Sequence, residues 1–252
     1  MPRKPFSAIA FSLALATAPF AVQAAGGKAH WGYGGPEGPD HWAEISPDYA
    51  ACAGKAQSPI DIVSSDAIEA AFPTATIAWN SFTPEVLNNG HTIQVNAGGQ
   101  GGTLTAGGKT YTLLQFHFHH LSEHTLNGRH APMEVHFVHQ SAEGDLFVVG
   151  VMIREGLANS ALNTIWPLIP AAGSSMTGSI AVNPSDLMAD RTAAFRYKGS
   201  LTTPPCSEIV TWHVMAGAVT ASKEQIAAFK SLYPDNYRPI QPGNRRFVLT
   251  NQ

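Results

Sequence analysis

Polar and apolar positions alternate most strictly in two stretches of this chain. In Gln115-Phe116-His117-Phe118-His119 every second residue is aromatic, and Met133-Glu134-Val135-His136-Phe137 takes turns in the same way up to Val138. A period of two predicts half-buried strands. Side chains two apart share a face. Gln115, His117 and His119 therefore stand together, as do Glu134, His136 and Val138, while Phe116, Phe118, Val135 and Phe137 turn the other way as candidate core. The run from Leu146 to Ile153 is apolar at both parities, which predicts a central strand covered on both sides. Ser141-Ala142-Glu143-Gly144 before it predicts a hairpin with the His136 strand.

Shorter extended pieces are expected at Thr76 to Trp79, Val86-Leu87 and Ile209 to Val214. Asn88-Asn89-Gly90 is a hairpin-turn signal leading into His91-Thr92-Ile93-Gln94-Val95, where alternation groups His91 with Ile93 and Val95. Helical spacing is rare. Ser160 to Trp166 is one candidate, stopped by Pro167. Ser222-Lys223-Glu224-Gln225 is a capping-box pattern followed by Ile226, Ala227, Phe229 and Leu232 at helical intervals. Short strands, with 23 Gly and 18 Pro to punctuate them, indicate one mostly β domain, and 252 residues suffice to bury its core.

The amino terminus reads differently. Arg3 and Lys4 precede an apolar run from Phe6 to about Val22, and Val22-Gln23-Ala24 is a small-residue cleavage pattern. Residues 1–24 are expected to be a signal peptide and 25–252 the mature domain, periplasmic or secreted. No later stretch is long and apolar enough for a transmembrane helix. In an oxidising compartment the even pair Cys52 and Cys206 favours one disulfide over two free thiols. The full chain carries a net charge of −3, which loss of Arg3 and Lys4 deepens to −5. With no basic run either, the sequence argues against nucleic acid or an anionic membrane as a partner.

The chemistry lies in the first two strands. His117, His119 and His136 offer three imidazoles from neighbouring strands, and three histidines leave one tetrahedral position on zinc open, as catalytic zinc requires. A zinc-bound histidine donates its other ring N–H to an acceptor, and Gln115 and Glu134 stand on the right faces to accept. An alternative remains at this point. His117-x-His119-x3-Glu123 also approximates a cupin metal motif with Glu123 as a fourth ligand, although Tyr111 and His130 occupy positions where that motif expects glycine.

Further segments narrow the choice. His30-Trp31-Gly32-Tyr33-Gly34, Gln57-Ser58-Pro59-Ile60, Asn88-Asn89-Gly90-His91, Ser122-Glu123-His124-Thr125, Ser200-Leu201-Thr202-Thr203-Pro204-Pro205 and Asn236-Tyr237-Arg238-Pro239 follow in order around the histidine strands. With them the chain resembles the α-class carbonic anhydrases of the bacterial, exported kind, over essentially its whole mature length. The resemblance implies a central twisted mixed β-sheet of about ten strands with a few short peripheral helices. It implies Zn2+ on His117, His119 and His136, with Gln115, Glu134 and the carbonyl of Asn236 holding those rings. The implied reaction is reversible hydration of carbon dioxide to bicarbonate by hydroxide generated at zinc.

Residue by residue, the resemblance makes Thr202 a gatekeeper that donates to Glu123 and accepts the proton of that hydroxide. It makes Val138, Val148, Leu201, Val210 and Trp212 an apolar wall for carbon dioxide, and Thr203 a contact for bicarbonate. His91 becomes a proton shuttle, with Tyr33 and Asn89 ordering water on its path, and Pro204–Pro205 a cis peptide. A metal-free carbonic-anhydrase-related binding module is the remaining alternative, but such modules have lost zinc histidines that this chain keeps.

Overall fold

The computed structural model describes residues 29–72, 75–188 and 192–251, so the expected leader and its cleavage point lie outside the described residues. Seven strands build the part of the sheet that matters here: β1 (Glu85–Asn88), β2 (Ile93–Asn96), β3 (Lys109–His119), β4 (Met133–Ser141), β5 (Leu146–Glu155), β6 (Ala194–Gly199) and β7 (Val210–Met215). They run in the order β1-β2-β3-β4-β5-β7-β6. Ser174–Thr177 extends the β1 edge, and Leu249–Thr250 then Ile68–Glu69 extend the β6 edge. That path holds ten strands, and three more flank it in a sheet of 13 among the described residues. The sheet is mixed: β3, β4 and β5 are antiparallel neighbours, whereas β5 and β7 are parallel. This architecture removes the cupin alternative, which needs a different fold.

Each face of the sheet buries its own apolar layer. Tyr111, Leu113, Phe116, Phe118, Val135, Phe137, Val149 and Val151 belong to the larger core, where the helices Ser160–Ile165 and Lys223–Leu232 contribute Leu162, Ile165, Ile226 and Phe229. Val148, Met152, Val210, Trp212 and Val214 belong to the layer on the other face. β5 is thus covered on both sides, as its unbroken apolar run requires. The capping box at Ser222 forms, with Ser222 Oγ accepting from Gln225 N–H and the Gln225 side chain accepting from Ser222 N–H. Ser160–Ile165 tightens into a 3-10 turn at Trp166–Leu168, so Pro167 sits inside the last turn instead of beyond it.

Two differences from simple alternation position the site. Tyr111 and Leu113 are odd-numbered and buried in the same core as even-numbered Phe116 and Phe118. A β-bulge lets both parities face one way: Leu113 pairs with His139 and Gln115 with Val138, leaving Leu114 as the extra residue. Beyond the bulge the odd residues Gln115, His117 and His119 are turned to the opposite face. The second difference concerns His91. β2 begins at Ile93, so His91 lies in the turn and does not share the core-facing side of Ile93 and Val95. Asn89 Oδ1 accepts the backbone N–H of both His91 and Thr92 at 2.9 Å, which holds that turn and explains why the alternation stops there.

Before the sheet, the segment with Trp31, Tyr33 and Trp42 packs against Cys52 and Cys206. Those cysteines, 154 residues apart, form a disulfide. Ser58–Pro59 and Pro204–Pro205 are cis, as is the non-proline bond His120–Leu121. No helix among the described residues is long and apolar enough to cross a membrane.

Candidate metal centre

His117 and His136 are directly opposite each other in the β3/β4 register, and His119 is opposite Glu134. Their ring centroids lie 5.4 Å apart for His117–His136, 5.0 Å for His117–His119 and 4.6 Å for His119–His136. One ring nitrogen of each falls within 4.8 Å of the others. The opposite ring nitrogens are all engaged. His117 Nδ1 donates to Gln115 Oε1 at 2.9 Å, His119 Nδ1 to the Asn236 carbonyl at 2.7 Å, and His136 Nε2 to Glu134 Oε1 at 2.8 Å. With those protons fixed, the lone pairs of His117 Nε2, His119 Nε2 and His136 Nδ1 face the shared space.

This donor set fits zinc. His119 Nε2 is buried and has no hydrogen-bond partner among the described residues, a costly state that a metal ion would relieve. Burial and then the neighbouring rings push His117 well below the ordinary histidine range, and burial also lowers His119, so both favour the neutral form that binds metal. At His136 burial pulls down, but the charge and hydrogen bond of Glu134 outweigh it and raise the pKa. Glu134, fully buried, is held well below the carboxylate range: His124 and His136 overcome a desolvation that would raise it.

Glu134 has a second partner that the sequence does not reveal. His124 donates its ring Nδ1–H to Glu134 Oε1 at 2.8 Å and its backbone N–H to Oε2 at 2.9 Å. The Tyr197 hydroxyl then sits between His124 Nε2, at 2.8 Å, and Ser58 Oγ, at 2.9 Å. His124 lies outside any alternating run and meets Glu134 ten residues on, so no spacing rule points to it.

Glu123 is buried beside the cluster. Its Oε1 accepts the backbone N–H of Arg238 at 2.8 Å. Oε2 has no hydrogen-bond partner among the described residues and lies 3.6 Å from His119 Nε2 and 3.7 Å from His136 Nδ1. The expected hydrogen bond from Thr202 is therefore not formed. Oε2 is turned toward the two imidazoles, and Thr202 is buried on the neighbouring loop. Val148, Val210 and Trp212 are buried in one apolar layer, with Val138 and Leu201 packed against it, and the Trp212 ring centroid lies 4.8 Å from that of His136. A cavity of about 130 Å³ leads outward, lined by Trp31, Tyr33, His91, His117, His119 and Thr203, with Asn89 at its edge. His91 stacks on Trp31 with centroids 3.8 Å apart and planes 8° from parallel. Burial lowers its pKa, as does the charge of His30. Tyr33 is raised well above the phenol range, by burial and then by the charge of Glu123.

Three convergent imidazoles, a buried carboxylate and an apolar wall, all mounted on a twisted mixed sheet, define a zinc-type metalloenzyme centre suited to a small uncharged substrate. The family described as "Eukaryotic-type carbonic anhydrase" matches residues 37–252. The chain is 42% identical over 244 residues to the carbonic anhydrase of Pectobacterium atrosepticum, covering 95% of this chain and 98% of that protein. It is 44% identical over 225 residues to the one from Pectobacterium carotovorum, covering 87% and 90%. The solved α-carbonic anhydrase of Thermovibrio ammonificans, in complex with sulfanilamide, superposes with a TM-score of 0.83 at 44% identity, covering 88% of this chain and 100% of that one. The chain belongs to the α-class carbonic anhydrases, and its histidine cluster is that of a zinc-dependent site for carbon dioxide hydration.

Proposed function

We propose that the chain interconverts carbon dioxide and bicarbonate with His117, His119 and His136 holding Zn2+. The observation that carries this reading is the set of three fixed imidazole protons, on Gln115, the Asn236 carbonyl and Glu134, which leaves three lone pairs convergent. Zinc bound there would lower the pKa of a water molecule to about 7, so hydroxide would be available at neutral pH.

The chain's own residues do the rest. Glu134 and Gln115 fix which ring nitrogens are basic. Val138, Val148, Leu201, Val210 and Trp212 offer carbon dioxide an apolar surface with nothing to hydrogen-bond, and Thr203 at the cavity wall contacts the bicarbonate product. The resemblance makes Glu123 Oε2 the acceptor for the Thr202 hydroxyl, a bond that is not formed in this structure and would have to form for the reaction. A threonine committed to donate there can only accept from the attacking group, which aims a lone pair at the substrate carbon. His91, which lines the cavity, would carry the released proton to buffer, with Tyr33 and Asn89 along the path. The leader-like residues 1–24 and the disulfide support an exported, periplasmic or secreted enzyme.

Metal analysis paired with stopped-flow hydration tests the assignment. His117→Ala, His119→Ala and His136→Ala should each lose zinc and hydratase activity together. Full zinc content with near-normal rates in any one of them would remove it from the ligand set.

A further inference from the structure

A second cavity, larger than the one that leads to the histidine cluster, lies elsewhere in the molecule. A cleft of about 770 Å³ opens among Leu126, Arg129, Met152, Arg154, Phe195 and Ala216, and shares no lining residue with the cavity at His117. Carbon dioxide and bicarbonate are far too small to need it, whereas its size falls within the range of sites that hold small organic molecules, about 300–1,000 Å³.

Its chemistry is divided. Met152 and Phe195 are buried and form an apolar floor, with Leu126 and Ala216 half-buried beside them. Arg129 and Arg154 stand exposed at the rim, and neither guanidinium has a hydrogen bond or ion pair with any of the described residues. Arg154 is two residues from Met152 on β5, so strand geometry places it on the floor side. Glu155 is the one acidic residue of the lining and has the opposite parity on the strand. His130, also at the wall, spends its Nδ1 proton on the Ser122 carbonyl at 2.6 Å and so is held in place. Two guanidinia without a partner among the described residues, above an apolar floor, are complementary to an anion that carries an apolar body.

We propose that this cleft is a second binding site, separate from the metal centre, for a small amphiphilic organic anion whose charged head bridges Arg129 and Arg154. Its hydrocarbon part lies on Met152, Phe195, Leu126 and Ala216. Both halves of the ligand are needed: the arginines alone would hold a short anion weakly in water, and the floor alone would hold a neutral chain weakly.

Titration calorimetry on the zinc enzyme tests this with hexanoate, acetate and hexanol as probes. Hexanoate should bind at least tenfold more tightly than either of the others. Arg129→Ala/Arg154→Ala should weaken hexanoate at least tenfold, leave hexanol unchanged, and keep the melting temperature and the hydration rate of the parent. Ala216→Phe, which fills the cleft without touching an arginine, should weaken hexanoate and hexanol alike. Any hexanoate held at the metal centre would be insensitive to all three substitutions. Unchanged hexanoate affinity in the arginine variant, affinity no greater than acetate's, or no binding at millimolar concentration would each overturn the proposal.

Discussion

At the scale of single residues, the shuttle role proposed for His91 would separate the chemical step from the proton transfer that completes the cycle. His91 sits in a turn fixed by Asn89, stacks on Trp31 and lines the cavity that reaches His117 and His119. Its lowered pKa favours the neutral ring, which can accept a proton from the site and release it to solvent. His91→Ala should therefore slow turnover several-fold in weakly buffered solution, with kcat/KM little changed, and added imidazole should restore the rate. An equal loss in concentrated buffer would show that His91 acts otherwise. Glycine is decisive at one position. A Cβ at Gly150 would stand 2.8 Å from Glu134 Oε1, the oxygen that accepts from both His124 and His136. Gly150→Ala should push that carboxylate away and weaken zinc binding by about 10- to 100-fold, the usual cost of losing the partner of a metal-bound histidine. Zinc competition with a chelator measures it, and unchanged affinity would mean that Glu134 is not needed to orient the ring.

At the scale of elements, the β4–β5 hairpin serves both faces of the sheet. His136 faces the metal centre, while His139, three residues on and of opposite parity, is buried on the other side. There it accepts from Trp79 Nε1–H at 2.9 Å, and its Nδ1–H reaches the carbonyls of Phe137 and Phe147. Burial lowers its pKa from 6.5 to about 4. Between those values the unfolded chain binds a proton that the folded chain refuses, so stability rises with pH through this window and is lost as pH falls through it. The loss amounts to about 3 kcal/mol on going from 6.5 to 4. His213, lowered to about 3 by burial and then by Arg196, acts in the same direction. Thermal melts across this range should show the fall, and His139→Gln, which can keep the Trp79 contact, should make it shallower and leave the share of His213. A slope unchanged by that substitution would place the acid sensitivity elsewhere.

The whole molecule is closed by the Cys52–Cys206 disulfide, whose ends are 154 residues apart. In the chain-entropy account such a crosslink removes about 5 kcal/mol of unfolded-state freedom, comparable to the stability of an ordinary domain. It also holds the surroundings of the metal centre. The carbonyl of Cys52 accepts from the buried guanidinium of Arg238, that of Cys206 accepts from Gln57, and the Arg238 N–H holds Glu123 Oε1. Reduction should lower the melting temperature substantially and cost hydratase activity before zinc is lost. Thiol titration, melting and hydration assays with and without reductant measure this, and an unchanged melt after verified reduction would remove the crosslink from the account.

Much of this protein was legible from its residues alone. Strict alternation around Phe116 and Phe118 and around Val135 and Phe137 put the core on one side and the three histidines on the other, because the pleat gives a strand no other choice. The capping box at Ser222 and the two-sided apolar run of β5 were equally local, and both elements formed where the pattern put them. What alternation could not supply was every feature that lies outside a regular strand or depends on distant backbone. The bulge at Leu114 changes the parity of β3, so the residues before it pack with the core although their numbering says otherwise. His91 left its apolar strand for a turn because Asn89 took up the backbone N–H groups. The links of His124 to Glu134 and of Arg238 to Glu123 join segments that no periodicity relates. The sequence alone determined which side chains could bind a metal, since composition and pleat are local properties. The tertiary structure decided which ring nitrogen of His119 is free to do so, because its proton is fixed by the Asn236 carbonyl from a distant part of the chain, whereas Gln115 and Glu134 hold His117 and His136 from within their own strands.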